Sequence, residues 1–367
     1  MDGTFDAKAT ARLTGARFLA AFAELGAQAI EADILQPAEV LLDLYGEDIR
    51  ARAFVTHDPL RGEMMLRPDF TVPVVQEHMA GGAEPARYCY MGEVFRAQEH
   101  AGPREAEFFQ VGYEVFDRVN TLDADAEVFA LFHSLLAPLG LRAAVGDIGL
   151  LLAAIDGLDT TDKRKAALKR HIWHPKRFRA LLDRFAGRSA VPASRQALLA
   201  ALDSDAPLTQ APMIGLRSQS EIAKRLTALQ EDAATAPLSP NDVAGLETLF
   251  AIADKAPKSL ETLQELALTM PAIAGRVAML ETRFNALDAK GIDLGGLDFE
   301  ATYGRTTLEY YDGFVFGFYD ASDAGLPPVA SGGRYDALTR VLGQGREIPA
   351  VGGVIRPALV AQLEAKA

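Results

Sequence analysis

The sequence predicts an α+β fold whose strands lie on both sides of a helical insertion, and three observations carry that reading. Residues 87–96 and 107–116 alternate as strands around a turn-rich loop. From Asp147 to Asp298 the composition shifts to Ala, Leu and charged residues, punctuated by prolines. Strand character then returns at Asp298–Tyr303 and most strongly in GFVFGFY, Gly313 to Tyr319.

Residues 10–32 space Leu13, Phe18, Phe22 and Leu25 at helical intervals, with Gly26 as a stop signal, so an amphipathic helix opens the chain. The pattern shortens at Ala51–Val55 and through MMLRPDF. Arg87 to Arg96 reads as a strand with Tyr88, Tyr90 and Val94 on one face. In Glu107 to Phe116, Val111, Tyr113 and Val115 alternate against Gln110, Gly112 and Glu114. The intervening AQEHAGPREA makes the pair a hairpin with a long loop. Pro175, Pro192, Pro207, Pro237, Pro257 and Pro271 divide the insertion into short to medium helices, because proline opens a helix but breaks its interior. VASGGRYDALTRVLG reads as strand, glycine turn and helix, and Ala350–Ile355 as a last strand before a helix opened by Pro357. The implied division is 1–146 and 299–367 for the core and 147–298 for the insertion.

The 367 residues are 49% hydrophobic, enough for a large buried core. A formal net charge of −13 argues against broad attraction to nucleic acid or an anionic membrane. No apolar run approaches the roughly 18 residues of a bilayer span, and the N-terminus has acidic Asp2 and Asp6 and no cleavable signal pattern, so a cytoplasmic protein is expected. The single cysteine, Cys89, excludes an internal disulfide and reads as a strand residue.

LRPDFTVPVV, EFFQVGYEVF, TTLEYYDGFVF and SGGRYDAL, in this order, resemble the catalytic core of histidyl-tRNA synthetase. The resemblance spans the chain in outline. It implies a class II aminoacyl-tRNA synthetase-like antiparallel sheet flanked by helices. It further implies that Asp69, Thr71, Gln110 and Glu114 hold the amino group and imidazole of histidine, with Tyr310 and Tyr311 closing over it. Carboxylates suit an ammonium, and Gln or Glu a buried ring N–H. Arg96 resembles the motif 2 arginine that contacts phosphate and the substrate carboxylate. Taken singly, each of these residues could equally be a satisfied polar group inside a sheet.

The departures point further. Leu359 and Ala358 stand where the synthetases have the arginine and glutamate of motif 3, and Arg356 comes three residues early, at a helix start that would point it elsewhere. The arginine-bearing catalytic block reads Thr306, Thr307, Leu308, Glu309, with Arg305 off register by one, which in a strand reverses the face. In the motif 2 loop Gln98, Glu99 and Ala106 replace charged positions and Arg104 is retained. Asp33 occupies the motif 1 proline position, with Pro37 close behind. Adenylate chemistry needs preorganised cations, and here several are replaced.

A synthetase-like core with a histidine-type pocket, a lost ATP clamp and no anticodon domain resembles the regulatory subunits of ATP phosphoribosyltransferase. That resemblance implies a non-catalytic partner of a short-form catalytic subunit in histidine biosynthesis, a dimer as its unit, and feedback by histidine. No cofactor, metal or nucleic-acid partner is expected. Two other readings stay open: an active class II adenylating enzyme, and a stand-alone histidine or tRNA sensor.

Lys163 to Arg179 carries eight Lys or Arg and no acid. It reads either as a docking face for an acidic partner or as a solvated helix pair broken at Pro175. His171 and His174, three residues apart, could meet on one helix face, but further metal ligands are missing from the pattern. Trp173 between them reads as a packing or interface residue.

Overall fold

The structure, a computed structural model, describes residues 2–45, 53–98, 105–203, 215, 217–305, 310–323 and 325–366. Helix α1 (Asp2–Glu24) leads through β1 (Gln28–Ala29) and β2 (Leu35–Pro37) to α2 (Ala38–Tyr45). Strands β3 (Val55–Asp58) and β4 (Gly62–Leu66) precede α3 (Thr71–Met79), β5 (Ala86–Phe95), β6 (Glu107–Phe116), α4 (Thr121–Leu136) and β7 (Arg142–Asp147). The helical run holds α5 (Ile148–Asp156), α6 (Asp162–Arg170), α7 (Pro175–Phe185), α8 (Ala193–Asp203), α9 (Gln219–Ala234) and α10 (Pro240–Ala251). It continues through β8 (Ala253–Lys255), α11 (Ala256–Thr269) and α12 (Ala274–Ala289). The chain closes with β9 (Asp298–Glu300), β10 (Phe314–Tyr319), β11 (Ala330–Arg334), α13 (Asp336–Leu342), β12 (Ala350–Ile355) and α14 (Pro357–Glu364).

A nine-stranded sheet runs in the order β1-β5-β6-β12-β11-β10-β7-β9-β8. Its central pairs are antiparallel, as expected, while β1 with β5 and β7 with β9 pair parallel near the two margins. Strands β2, β4 and β3 form a separate three-stranded sheet.

Residue parity assigns the two faces of the large sheet. On β6, Tyr113 meets Phe22 of α1 with ring centroids 5.2 Å apart, and on β10 Phe314, Phe316 and Phe318 meet Phe129 of α4. Those odd β6 positions and even β10 positions face the helical layer of α1 and α4. The opposite face carries Glu114, and there Phe116 stacks on His78 of α3 at 4.0 Å.

Several local expectations change. The buried stripe of α1 is Ala11, Thr14, Gly15, Phe18 and Phe22, whereas Leu13 and Leu25 are exposed. Small residues lie on the core side because Phe109 packs where a side chain at Gly15 would be, 2.9 Å from its Cβ position. Gly26 ends the turn after the helix in the left-handed region, φ +83°. TVPVV, unassigned from the sequence, opens α3, and Pro73 falls in the first turn, where its missing N–H costs no helical bond. Gly332 and Gly333 lie within β11, not in a turn; a Cβ on Gly332 would sit 2.2 Å from the Gly352 carbonyl oxygen. Helix α4 and strand β7, unassigned from the sequence, complete the core.

Prolines in the helical run act as openers: Pro175, Pro240 and Pro257 fall at the first or second positions of α7, α10 and α11. A buried ion chain ties this run to the sheet. Arg283 of α12 donates to Asp125 of α4 at 2.8 Å and to Asp147 at 2.9 Å, and Arg334 of β11 donates to Asp125 at 2.7 Å and Asp336 at 3.0 Å.

Half of the basic stretch is paired within the chain, though only Arg164 is buried. Arg164 is buried against Asp232, Lys163 pairs with Glu231, Lys169 with Asp156 and Arg179 with Glu247. His171 and His174 sit in the turn between α6 and α7, not on one helix face, with ring centroids 6.2 Å apart. Among the described residues no group of three or more His, Cys, Asp or Glu is placed to hold a metal. Trp173 packs half-buried against the core.

Candidate functional site

Tyr90 of β5, Thr71 of α3 and Tyr335, just after β11, converge on Glu114 on the sheet face opposite α1. Glu114 projects from β6 near its C-terminal end, where Gly352 of β12 is its lateral partner. A Cβ on Gly352 would lie 1.4 Å from Glu114 Oε2, so the glutamate lies flat over that glycine. Two residues earlier, Gly112 leaves the room taken by the Tyr90 ring, 2.2 Å from its own Cβ position. Glycines in a strand normally weaken it; here they make a shallow floor on which larger polar groups rest.

Glu114 is fully buried and ringed by hydroxyls. Its Oε1 accepts from Tyr90 at 2.7 Å and Thr71 at 3.3 Å, and its Oε2 accepts from Tyr335 at 2.6 Å. Burial pushes its carboxyl up to about 7; the three hydroxyls pull the other way, and nearby Asp69 adds to the rise. Thr71, at the first position of α3, also accepts from the Tyr310 hydroxyl at 3.2 Å. Asp69 sits just before the helix and receives the Thr71 N–H at 3.1 Å, which fixes its carboxylate beside the helix N-terminus.

Gln110 lies four residues before Glu114 on the same strand face. It is fully buried, and neither polar atom of its carboxamide has a hydrogen-bond partner among the described residues. An amide so placed is costly unless something else bonds it. Tyr311 is buried against Gly333, 2.9 Å from the Cβ position there, and its hydroxyl is pushed upward by burial and by Glu114. Arg96 follows β5, half-buried, donating Nε to the Pro68 carbonyl at 2.9 Å with its guanidinium over the Phe108 ring. Its charge is felt at Tyr311.

All seven residues singled out from the sequence, Asp69, Thr71, Arg96, Gln110, Glu114, Tyr310 and Tyr311, thus border one region of one sheet face. Tyr90 and Tyr335 were missed as site residues although both donate to Glu114. Tyr90 was legible by parity, since it shares a face with Tyr88 and sits opposite Gly112 in the hairpin register. Tyr335 lies beyond the end of β11, and its approach to β6 depends on β12 lying between them.

The other arginines fall differently. Arg356 does not point away. It is extended at φ −100°, ψ 95°, so its side chain follows the alternation of β12 rather than the following helix, and its guanidinium lies over Phe108, the ring Arg96 also covers. Arg305 lies in a turn, not a strand. It is buried between the Phe178 and Phe250 rings and donates to the Ile172 carbonyl at 2.6 Å, which turns it into the helical run. Leu359 is a partly buried packing residue of α14. Glu99, Arg104 and Thr306 to Glu309 lie outside the described residues. Cys89 is a buried β5 residue whose thiol is pushed up by burial, in keeping with a structural role.

Chemically, the region offers two carboxylates for cationic or N–H groups, an amide that can both donate and accept, and a guanidinium at its edge for an anion. Such a set matches a small zwitterion with a polar side chain.

Comparison with known proteins decides the family. A histidyl-tRNA synthetase family model matches residues 5–231 and 219–358. The ATP phosphoribosyltransferase regulatory subunit of Mesorhizobium japonicum is 34% identical over 352 residues, covering 90% of this chain and 92% of that protein. Its namesake in Agrobacterium fabrum is 32% identical over 350 residues, covering 90% and 91%. This chain belongs to the ATP phosphoribosyltransferase regulatory subunit family. The fold is similar to that of solved synthetase-like structures. An ATP phosphoribosyltransferase regulatory subunit/histidyl-tRNA synthetase from Bacillus halodurans superposes with a TM-score of 0.67 at 21% identity, covering 99% of this chain and 80% of that one. A histidine–tRNA ligase subunit from Alicyclobacillus acidocaldarius gives 0.61 at 23%, covering 100% and 96%. No helix among the described residues is long and apolar enough to cross a membrane.

Proposed function

We propose that this chain is the non-catalytic regulatory subunit of an ATP phosphoribosyltransferase, that it activates a short-form catalytic subunit in the first step of histidine biosynthesis, and that free histidine bound over the large sheet feeds back on the complex. The supporting observation is the pairing of a buried, hydroxyl-ringed Glu114 with the unpartnered buried amide of Gln110 on one strand face. In this reading Asp69 and Thr71 receive the ammonium, Gln110 and Glu114 the imidazole, and Arg96 the carboxylate, with Tyr310 and Tyr311 against the ligand. Core segments 1–146 and 299–367 carry the pocket, and residues 147–298 form the helical insertion, which lends β8 to the sheet edge. The working unit is a cytoplasmic dimer joined to the catalytic partner.

Activation requires that the chain bind the active arrangement of its partner more tightly than the inactive one; histidine reverses that preference through its own differential affinity. The test is to mix the purified chain with the catalytic subunit of the same organism and follow its rate with and without histidine. Rate enhancement that histidine removes is the expected result, with histidine inhibition lost in Glu114→Ala. Robust histidine-dependent exchange of pyrophosphate into ATP by the chain alone would refute the regulatory reading.

A further inference from the structure

A concavity edged by charged side chains lies in the helical run. It is a cavity of about 500 Å³ between the start of α6, the end of α7, α8 and α9. Its lining carries Arg164, Arg184, Arg195, Arg225 and Lys163 against Asp162, Glu231 and Asp232, an excess of two positive charges, with Lys163 paired to Glu231. Asp232 Oδ1 accepts from Arg164 Nε at 2.7 Å, and its Oδ2 accepts from Arg195 Nη2 at 2.6 Å. Arg184 lies over the Phe185 ring at 4.7 Å and forms no ion pair with a described residue. Arg225 lines the opposite wall, also without an ion pair among the described residues.

Arg164 is committed to the fold: it is buried, also donates to the carbonyls of Ala236 and Asp232 at 2.8 Å, and shares the Phe185 ring with Arg184. Asp232 has one oxygen on each of two arginines, so Arg184 is left with no carboxylate of its own. Desolvation holds the Arg184 guanidinium below its ordinary basicity; the charge of Asp232 opposes this, and Arg195 and Arg164 add to it. An anion entering the cavity would relieve that imbalance. Planar guanidiniums converging from separate helices suit the several oxygens of a phosphate, and the cavity volume falls in the range of small-molecule sites.

We propose that this cavity binds a phosphate-bearing small molecule, held by Arg184, Arg195 and Arg225 with Arg164 and Asp232 as the fixed frame. A long polyanion fits less well, because the molecule around the cavity carries a net charge of −13.

The experiment is isothermal titration of the full-length chain with inorganic pyrophosphate, in parallel with a short polyglutamate. Binding of pyrophosphate that weakens about tenfold in Arg184→Gln, as expected for one lost charge-assisted contact, supports the site. Arg184 is exposed and outside the Asp232 ion pairs, so folding of that variant is checked simply by an unchanged melting temperature. Arg225→Gln is the second arm, weakening pyrophosphate binding from the other wall, while Gln110→Ala in the sheet pocket leaves it unchanged. The proposal is overturned by absence of pyrophosphate binding, by binding indifferent to both arginine substitutions, by binding lost in Gln110→Ala, or by capture of polyglutamate alone.

Discussion

Replacing Glu114 with glutamine should change how stability depends on pH. The folded carboxyl is pushed up to about 7 from the ordinary 4.5, chiefly by complete burial. Between those values the unfolded chain releases a proton that the folded chain keeps, so wild-type stability falls as pH rises through this window and levels off above it. At about 1.4 kcal/mol for each pH unit, the loss reaches about 3 kcal/mol by about pH 8. Glutamine carries no proton to release. It sacrifices part of the hydroxyl ring, because its amide nitrogen cannot accept from Tyr90 or Tyr335, a cost of about 1 kcal/mol. Glu114→Gln should therefore be slightly less stable than wild type near about pH 5 and about 2 kcal/mol more stable near about pH 8. Urea unfolding of both proteins at several pH values measures this. Asp312 is also pushed up to about 7, by burial and by Asp336, and titrates in the same window; the difference between the two proteins isolates Glu114. Parallel profiles would show that the buried carboxyl does not titrate as reasoned.

Two other substitutions probe the floor and the frame. Gly352→Ala places a methyl group 1.4 Å from Glu114 Oε2; displacing that side chain should cost about 1–3 kcal/mol and abolish the proposed histidine binding, read by denaturation and calorimetry. Arg283→Met leaves Asp147 buried without its guanidinium while Asp125 keeps Arg334; a loss of about 3–5 kcal/mol in urea unfolding is expected, and a near-neutral result would mean that water reaches the ion chain.

The shared face of Gln110 and Glu114 was legible because strand alternation is local: the two share parity on β6, and the hairpin register places Tyr90 opposite Gly112. Helix boundaries were equally local where proline marked them, as at Pro175 and Pro357. Leu13 and Leu25 misled because hydrophobicity alone does not say which stripe of α1 meets the sheet; the close seat of Phe109 on Gly15 does. Similarly, the charge of Lys163 to Arg179 suggested a surface, yet the acids that neutralise much of it arrive from Asp156, Glu231, Asp232 and Glu247.

By itself, the sequence determined the hairpin, the flanking strands, the helical run between them and the polar set on one strand face, since each follows from a period of two or 3.6 residues and from backbone limits on proline and glycine. Only the tertiary structure decided that Tyr335 reaches Glu114 across β12, that Arg356 stays with the strand while Arg305 turns into the helices, and that two guanidiniums, Arg164 and Arg195, meet Asp232 between α6 and α9. Those are contacts between segments tens to hundreds of residues apart, and no local periodicity encodes which distant group will satisfy a buried charge.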